Sequence, residues 1–344
     1  MGAGALLAAA SLLSACSQAA PQNNDDDGDK ALIVACGAQE DWCQAMAAAF
    51  EERTGIDTNF VRLSSGEAVA RLEASKENPE FDVWHGGPAD GYEAAKDAGL
   101  LEAYSSDTTA DIPEQFRDPD GFWTGVYLGV LGFCSNTDVL DSLGVDVPTS
   151  WDDLLNPKLK QQIGIAHPAT SGTSYTELWT QVVLNDGNED AAIDYAKKLN
   201  VNVLQYSKSG SAPGQQAGRG EVATGIIFTH DCVKYQDEGL TNLTVSVPEE
   251  GTGYEIGGVA IIAGAKHPSA AQQYVDFAAS VEGQEIGPTV GSYQVPTNPG
   301  AKVSDKSIDL GSVKLVDYDA VAAGAAKAAL VERFDSEVAT APTE

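Results

Sequence analysis

The chain has 344 residues, of which 43% are hydrophobic and 7% aromatic, with 35 Gly and 15 Pro. At roughly 150 residues per domain this is enough for about two globular units, and the composition excludes a chain that is disordered throughout, collagenous or of low complexity. Twenty Lys and Arg against 51 Asp and Glu leave a formal net charge of −31; a surface so negative repels phosphate backbones and anionic headgroups, which argues against nucleic-acid binding and polybasic membrane adhesion.

Met1 to Ala15 is rich in Ala and Leu, uncharged, and ends in Leu13-Ser14-Ala15-Cys16. This resembles the lipobox of bacterial lipoproteins, in which the cysteine, here Cys16, is thioether-lipidated and becomes the mature N-terminus. Residues 1–16 are therefore expected to be a lipoprotein signal segment. A signal also needs a basic n-region, which Met1-Gly2-Ala3-Gly4 lacks, so the true start is expected upstream. Residues 17–30 have no apolar periodicity and carry a run of acids, as expected of a disordered tether. Beyond the N-terminal segment no window approaches the 18 or more apolar residues of a spanning helix. Setting Cys16 aside leaves Cys36, Cys43, Cys134 and Cys232, an even number that fits an oxidising exterior. Cys36 and Cys43 could close a small loop, leaving Cys134 and Cys232 for each other, although four cysteines permit three connectivities. No CxxC occurs and no His lies at ligand spacing from a Cys, so no zinc site is predicted.

In chain order, the patterns predict a strand over 31–35, a helix over 42–54, a strand over 58–63 and a helix over 65–75. A third strand over 81–84 ends in Gly86-Gly87-Pro88, and a helix over 92–98 stops at Gly99. A long strand covers 125–134, and Trp151 to Leu155 with Pro157 begins a new unit. There follow a strand over 163–166, helices over 174–184 and 189–199, a strand over 203–206, a helix over 213–219 and a strand over 223–229. A strand over 257–263, a helix over 267–280 and an Ala-rich helix over 320–331 complete the chain. Alternation of this kind predicts a largely parallel sheet covered on both faces. Two α/β sets bracketed by long strands suggest two lobes with the chain crossing between them twice, the cleft between them being the expected ligand site.

Several segments carry a family resemblance: Gln39-Glu40-Asp41-Trp42-Cys43, Ser64-Ser65-Gly66-Glu67, Asp82-Val83-Trp84-His85-Gly86-Gly87, the Tyr127-to-Asn136 crossover, Trp151-Asp152-Asp153-Leu154-Leu155, Ser171-Gly172-Thr173-Ser174-Tyr175 and Gly220-Glu221-Val222. In this order they resemble the extracellular solute-binding proteins of ABC importers, in the ferric-binding-protein-like group and nearest its sugar-phosphate branch. The resemblance runs from Ala31 to the C-terminal helix. It implies an α/β chain with the type II periplasmic-binding-protein fold: two lobes with mixed sheets joined by two crossover strands, lobe 1 from residues 31–134 and 257–344 and lobe 2 from 135–256. It also implies permease and ATPase partners, no cofactor, a monomer, and a place on the extracellular face of the membrane, held only by the lipid anchor.

Three loops put Ser, Thr and Gly at the start of a helix, where free backbone N–H groups and the helix dipole favour an anion. Ser64-Ser65-Gly66-Glu67 follows a strand and has the form of a capping box, as does Ser174-Tyr175-Thr176-Glu177 just after Ser171-Gly172-Thr173. The third loop is Ser209-Gly210-Ser211-Ala212-Pro213, with Pro suited to a first turn. Arg62 and Lys208 flank these loops and could add charge-assisted bonds to a phosphate. In the ferric binders of the group a pair of adjacent tyrosines follows the strand after Gly-Glu; here Thr229-His230-Asp231-Cys232 stands there instead. In the sugar-phosphate branch a His-Asp pair and a later Glu hold the sugar hydroxyls, and His230, Asp231 and Glu255 match those positions. Tyr254 would add a stackable ring, and Trp84, beside Gly86-Gly87, is the one tryptophan whose place suggests a ligand platform. Adjacent residues on a strand point to opposite faces, so His230 and Asp231 can share a ligand only if a turn begins at Thr229.

No GxSxG, HExxH, Walker A or strand-following GxGxxG occurs, so an enzyme is not expected. The sequence reads as a capture protein for a phosphorylated, hydroxyl-rich solute such as a hexose phosphate. The alternative is ferric ion with a synergistic anion, held by Asp231, Glu255 and a further oxygen such as that of Tyr293.

Overall fold

The computed structural model describes residues 1–2 and 30–342. Cys16 and nearly all of the expected signal segment and tether lie outside the described residues. Among the described residues, no helix is long and apolar enough to cross a membrane.

The chain opens β1 (Ala31–Cys36), α1 (Glu40–Thr54), β2 (Asp57–Arg62), α2 (Ser65–Ala74), β3 (Val83–Pro88) and α3 (Ala89–Asp97). Next come β4 (Leu101–Glu102), α4 (Asp107–Ala110), the long β5 (Thr124–Asn136), α5 (Thr137–Leu143), β6 (Ile163–Ala166), α6 (Gly172–Leu184) and α7 (Glu189–Asn200). It continues with β7 (Val203–Ser207), α8 (Ala212–Gly218), β8 (Thr224–Phe228), α9 (Thr229–Asp237), β9 (Leu243–Ser246) and β10 (Tyr254–Ile262). It finishes with α10 (Pro268–Ala279), α11 (Val281–Gln284), β11 (Val295–Pro296) and α12 (Ala320–Glu337).

One mixed sheet runs in the order β2-β1-β3-β10-β5-β8-β6-β7. The β1–β2, β1–β3, β6–β7 and β6–β8 pairs are parallel, as the βαβ alternation requires, whereas β10 and β5 run antiparallel to their neighbours. β5 is the strand common to both halves. Its first half pairs with β10 from Thr124 to Val130, and its second half pairs with β8 and β9 from Leu131 to Asn136. Every residue of β5 is buried, in accord with its run of apolar residues from Gly125 to Cys134, which lacks the alternation of a half-exposed strand.

Two apolar cores flank the first half of the sheet. One is built from β1, α1 and α10 around Phe50 and Tyr274, the other from α2, α3 and Trp84, whose ring stacks on Tyr92 at 4.0 Å. Trp84 is completely buried and serves that core, not a ligand. The second half has its own core around Phe133, Trp151 and Ile165. Disulfides join Cys36 to Cys43 and Cys134 to Cys232, the pairing left as one of three by the sequence. The first closes the turn between β1 and α1; the second ties β5 to α9.

Candidate ligand-binding cleft

Three strand ends deliver their loops to one cavity. β2 ends at Arg62 and the chain turns through Ser64 into α2; β6 leads through His167 to Ser171 and α6; β7 runs through Ser209–Ser211 into α8. Arg62, Ser64, Ser65, Ser171, Gly172, Thr173 and Ser211 all line this cavity. Gly210 is what allows the last two loops to meet: a Cβ there would lie 2.1 Å from Thr173 Oγ1 and 2.7 Å from Ser171 Oγ. Arg62 reaches in from the other side, its Nη2 donating to Ser209 Oγ and its Nε to the Ala38 carbonyl, each at 3.2 Å. A guanidinium and clustered hydroxyls beside the starts of α2 and α6 are an arrangement suited to an anion; the start of α8 contributes no backbone donors, because the Ala212 and Gly214 N–H groups donate to the Ser209 and Ser211 carbonyls and Pro213 has none.

The structure gives some of the expected anion-binding residues a different place. Ser64 donates both its N–H and its hydroxyl to Glu67 Oε2, at 3.1 and 2.8 Å, so it fixes the turn. Burial pushes the Glu67 carboxyl up, but those two bonds and the charges of Lys208 and Arg62 outweigh it and hold the group below its ordinary value. Gly66 does not line the cavity, and its N–H is committed to the Thr170 carbonyl at 3.0 Å. Lys208 is also outside the lining; its carbonyl accepts from Thr170 Oγ1 at 3.1 Å. The expected capping box at Ser174 does not form, because α6 already begins at Gly172. Glu177 is instead sealed in the interior, where burial pushes its carboxyl up to about 8.

The second group of lining residues comes from α9 and β10. Where the sequence suggested a strand through Thr229, β8 stops at Phe228 and a helix begins at Thr229. His230 and Asp231 thus lie in one helical turn and both line the cavity, which resolves the face problem of an extended chain. Gln39 Nε2 donates to Asp231 Oδ1 at 2.9 Å and to Tyr235 Oη at 3.3 Å. Glu255 sits on β10 opposite Gly129 of β5. A Cβ on Gly129 would lie 2.8 Å from both Glu255 Oε1 and His230 Cε1, so the missing side chain is what lets carboxyl and imidazole converge.

Glu255 is 4% exposed. Burial, with the nearby Asp231 and Asp90 charges, pushes its carboxyl well above the usual range, which favours the protonated form. Burial also holds His230 below its ordinary value, against the pull of Asp231, and its Nδ1 is buried without a partner among the described residues. A buried carboxyl, an imidazole with an unpartnered Nδ1 and Asp231 together bring donor and acceptor atoms to one place, which suits hydroxyl groups that can do either.

Sequence reasoning missed Gly37, Ala38, Gln39, Gly87, Pro88, Tyr127, Gly210, Phe228 and Gln294, all of which line the cavity. Gln39 and Gly87 sit in segments that were legible as motifs, just before a helix and at a strand end. Tyr127, whose Oη accepts the Gly87 N–H at 3.1 Å, carries no local signal. Tyr254 packs near Tyr318 at 6.1 Å, and Tyr293 donates to Asp237 Oδ2 at 2.5 Å; neither lines the cavity.

The family model for bacterial extracellular solute-binding proteins matches residues 45–313. An uncharacterized protein of Haemophilus influenzae is 41% identical over 315 residues, covering 89% of this chain and 90% of that one. Among solved structures, the periplasmic binding protein AfuA from Actinobacillus pleuropneumoniae, with exogenous fructose 6-phosphate bound, superposes with a TM-score of 0.87 at 42% identity. The match covers 90% of this chain and 99% of that one. The periplasmic binding protein P5PA superposes at 0.85 with 34% identity, over 90% and 99% of the two chains.

Proposed function

Because the chain belongs to the family of bacterial extracellular solute-binding proteins, whose members here are binders and not enzymes, we propose that it is the capture subunit of an ABC importer for a phosphorylated, hydroxyl-rich solute such as a hexose phosphate. The observation that carries this reading is the double character of one cavity. Its Arg62, Ser65, Ser171, Gly172, Thr173 and Ser211 form a surface for a phosphate, while His230, Asp231 and Glu255 form one for hydroxyls. Gly66 and Lys208 support the first surface from behind, and Ser64, which lines the cavity, fixes the turn into α2. The likeness to AfuA, with its bound fructose 6-phosphate, supports the same reading. Lobes of 31–134 with 257–344, and of 135–256, would close on the solute about β5 and β10 as in other two-lobed binders. Lipidation at Cys16 would hold the protein at the membrane, as a monomer that delivers to a permease and its ATPase.

The test is thermal unfolding of the chain from Ser17 onward against hexose phosphates, aminoalkyl phosphonates, inorganic phosphate, free sugars and ferric citrate. A ligand at 100 times its dissociation constant adds about 2.7 kcal/mol, a visible rise in melting temperature. Stabilisation by hexose phosphates and not by free sugars is expected. Stabilisation by ferric citrate alone, with a visible charge-transfer band, would replace this reading by the iron one, and by phosphonates alone would change the organic part of the solute.

A further inference from the structure

The loop that carries Ser171, Gly172 and Thr173 begins at His167, a side chain with no exposed surface and no part in the cavity lining. Its carbonyl accepts the N–H groups of Thr170 and Ser171, at 3.1 and 2.9 Å, and the Thr170 hydroxyl at 3.2 Å. Its Nδ1 accepts the Ala169 N–H at 3.2 Å. That bond fixes the tautomer, since Nδ1 must be bare and Nε2 must carry the proton. Nε2 then donates, at 2.7 Å, to the carbonyl of Ala339, beyond the end of α12. The ring is held edge-on to Tyr206 and Phe334, at 5.6 and 5.1 Å. One imidazole thus joins the loop facing the cavity to the last turns of the chain, 172 residues away in sequence.

The C-terminal segment is itself held from several sides. Asn200 Nδ2 donates to the Val338 carbonyl at 3.1 Å, and the Ala341 N–H donates to Asp335 Oδ1 at 2.7 Å. Upstream in α12, Lys327 Nζ donates to the wholly buried Asp90 of α3 at 2.5 Å, while Arg333 and Glu337 engage Asp190 and Lys197 of α7. The segment therefore rests on elements from both halves of the sheet, and a hydrogen bond to it is a bond to a fixed point.

We propose that His167 is a positioning residue for the anion-facing loop, and that it works by tethering residues 168–173 to the C-terminal segment at Ala339. The hydrogen-bonded loop is preorganised before any ligand arrives, so its N–H groups need no reordering on binding. Read for phosphate affinity, this inference rests on the proposed function; read for loop order, it does not.

The test is a double-variant cycle with two readouts. His167→Asn keeps an acceptor near the Nδ1 position for Ala169 but is too short to reach Ala339. A chain ending at Val338 removes the acceptor and leaves His167 intact. The first readout is backbone amide exchange of residues 168–173 without ligand; the second is the dissociation constant for inorganic phosphate. Loss of one buried hydrogen bond is expected to weaken phosphate by about threefold to tenfold in either variant. The combination should be no worse than the truncation alone, because the truncation already cuts the His167 tie together with the Ala341 bond to Asp335. Exchange over 168–173 should quicken in both variants, and not in Asn200→Ala, which releases the Val338 carbonyl and the Tyr206 hydroxyl but leaves the bond from His167 to Ala339 in place. Additive losses, or unchanged exchange in the truncated chain, would overturn the tether. If the parent protein binds no phosphate, the proposed function fails at that point, and the exchange readout still decides the tether by itself.

Discussion

The two groups of residues that face each other in the cleft are built on different physics. The serine-rich group draws its polarity from helix starts and hydroxyls, with Arg62 the one charged side chain among its lining residues. None of this titrates near neutrality, since backbone N–H groups keep their dipoles and a guanidinium keeps its proton. The other group uses a neutral imidazole, a buried carboxyl pushed well above its usual range and Asp231 held by Gln39. Its donor and acceptor pattern exists only because the interior decides who keeps a proton. On the proposed reading, the first surface would supply tolerance of conditions and the second discrimination among solutes.

The sharpest way to break this division is Asp231→Ala. It removes the acceptor of Gln39 and one of the hydroxyl-facing groups, and truncating one partner of a buried, hydrogen-bonded charge costs about 2–5 kcal/mol. Titration calorimetry should show a hexose phosphate weakened by about a hundredfold or more, with inorganic phosphate nearly unchanged. Equal losses for both ligands would mean that Asp231 serves the phosphate side as well.

Arg62→Gln probes the opposite surface. A hydrogen bond to a charged group contributes about 1.5–3 kcal/mol, but the helix-start N–H groups remain, so the loss should sit at the low end, about tenfold. It should be equal for hexose phosphate and inorganic phosphate and should shrink as salt is raised. A loss confined to the hexose phosphate would assign Arg62 to the organic part of the solute.

The same contrast governs what could be read in advance. The serine loops were legible because their signature is local: a strand end, a turn rich in Ser and Gly, then a helix, each within a few residues. Reading fails there only where a backbone donor is spent elsewhere, as with the Gly66 N–H on Thr170, or where a helix starts early, as α6 does at Gly172. The order of strands and helices was likewise local in origin, and most expected ends agree to within a few residues; β3, which runs on through Gly86-Gly87-Pro88, and α12, which continues to Glu337, are exceptions, and α5 and β9 were not expected. The hydroxyl-facing group became visible as a set of residues through family resemblance, but its geometry is tertiary. That α9 starts at Thr229 is hidden by an apolar run that leads without a break into it. The convergence of Glu255 and His230 depends on Gly129, more than a hundred residues upstream of Glu255. Gln39, ahead of α1, and Tyr127, on β5, join the cavity through tertiary contacts with Asp231 and Gly87 that no local pattern encodes.

Glu255→Gln tests the smallest difference and isolates the role of the proton. Because burial holds the Glu255 carboxyl above its ordinary 4.5, the folded protein keeps a proton there that the unfolded chain has lost. Stability must then fall as pH rises from the unfolded value toward the folded one, by about 1.4 kcal/mol per pH unit for each such group. Glu177 contributes in the same direction up to about 8. His85, which burial holds at about 3, and His167 and His230, which burial also lowers, act oppositely, losing stability as pH falls through the unfolded value near 6.5, so the window from about 7.5 to 8 reads the carboxyls. Between those values the melting temperature of the parent protein should decline with pH, less steeply for Glu255→Gln, and less steeply again with Glu177→Gln added. At pH 6.5 glutamine reproduces the shape and a donor of the protonated carboxyl, so hexose phosphate affinity should stay within about threefold. A large loss there, with an unchanged stability slope, would mean that Glu255 is ionised in the folded protein and that the hydroxyl-facing surface carries two negative charges.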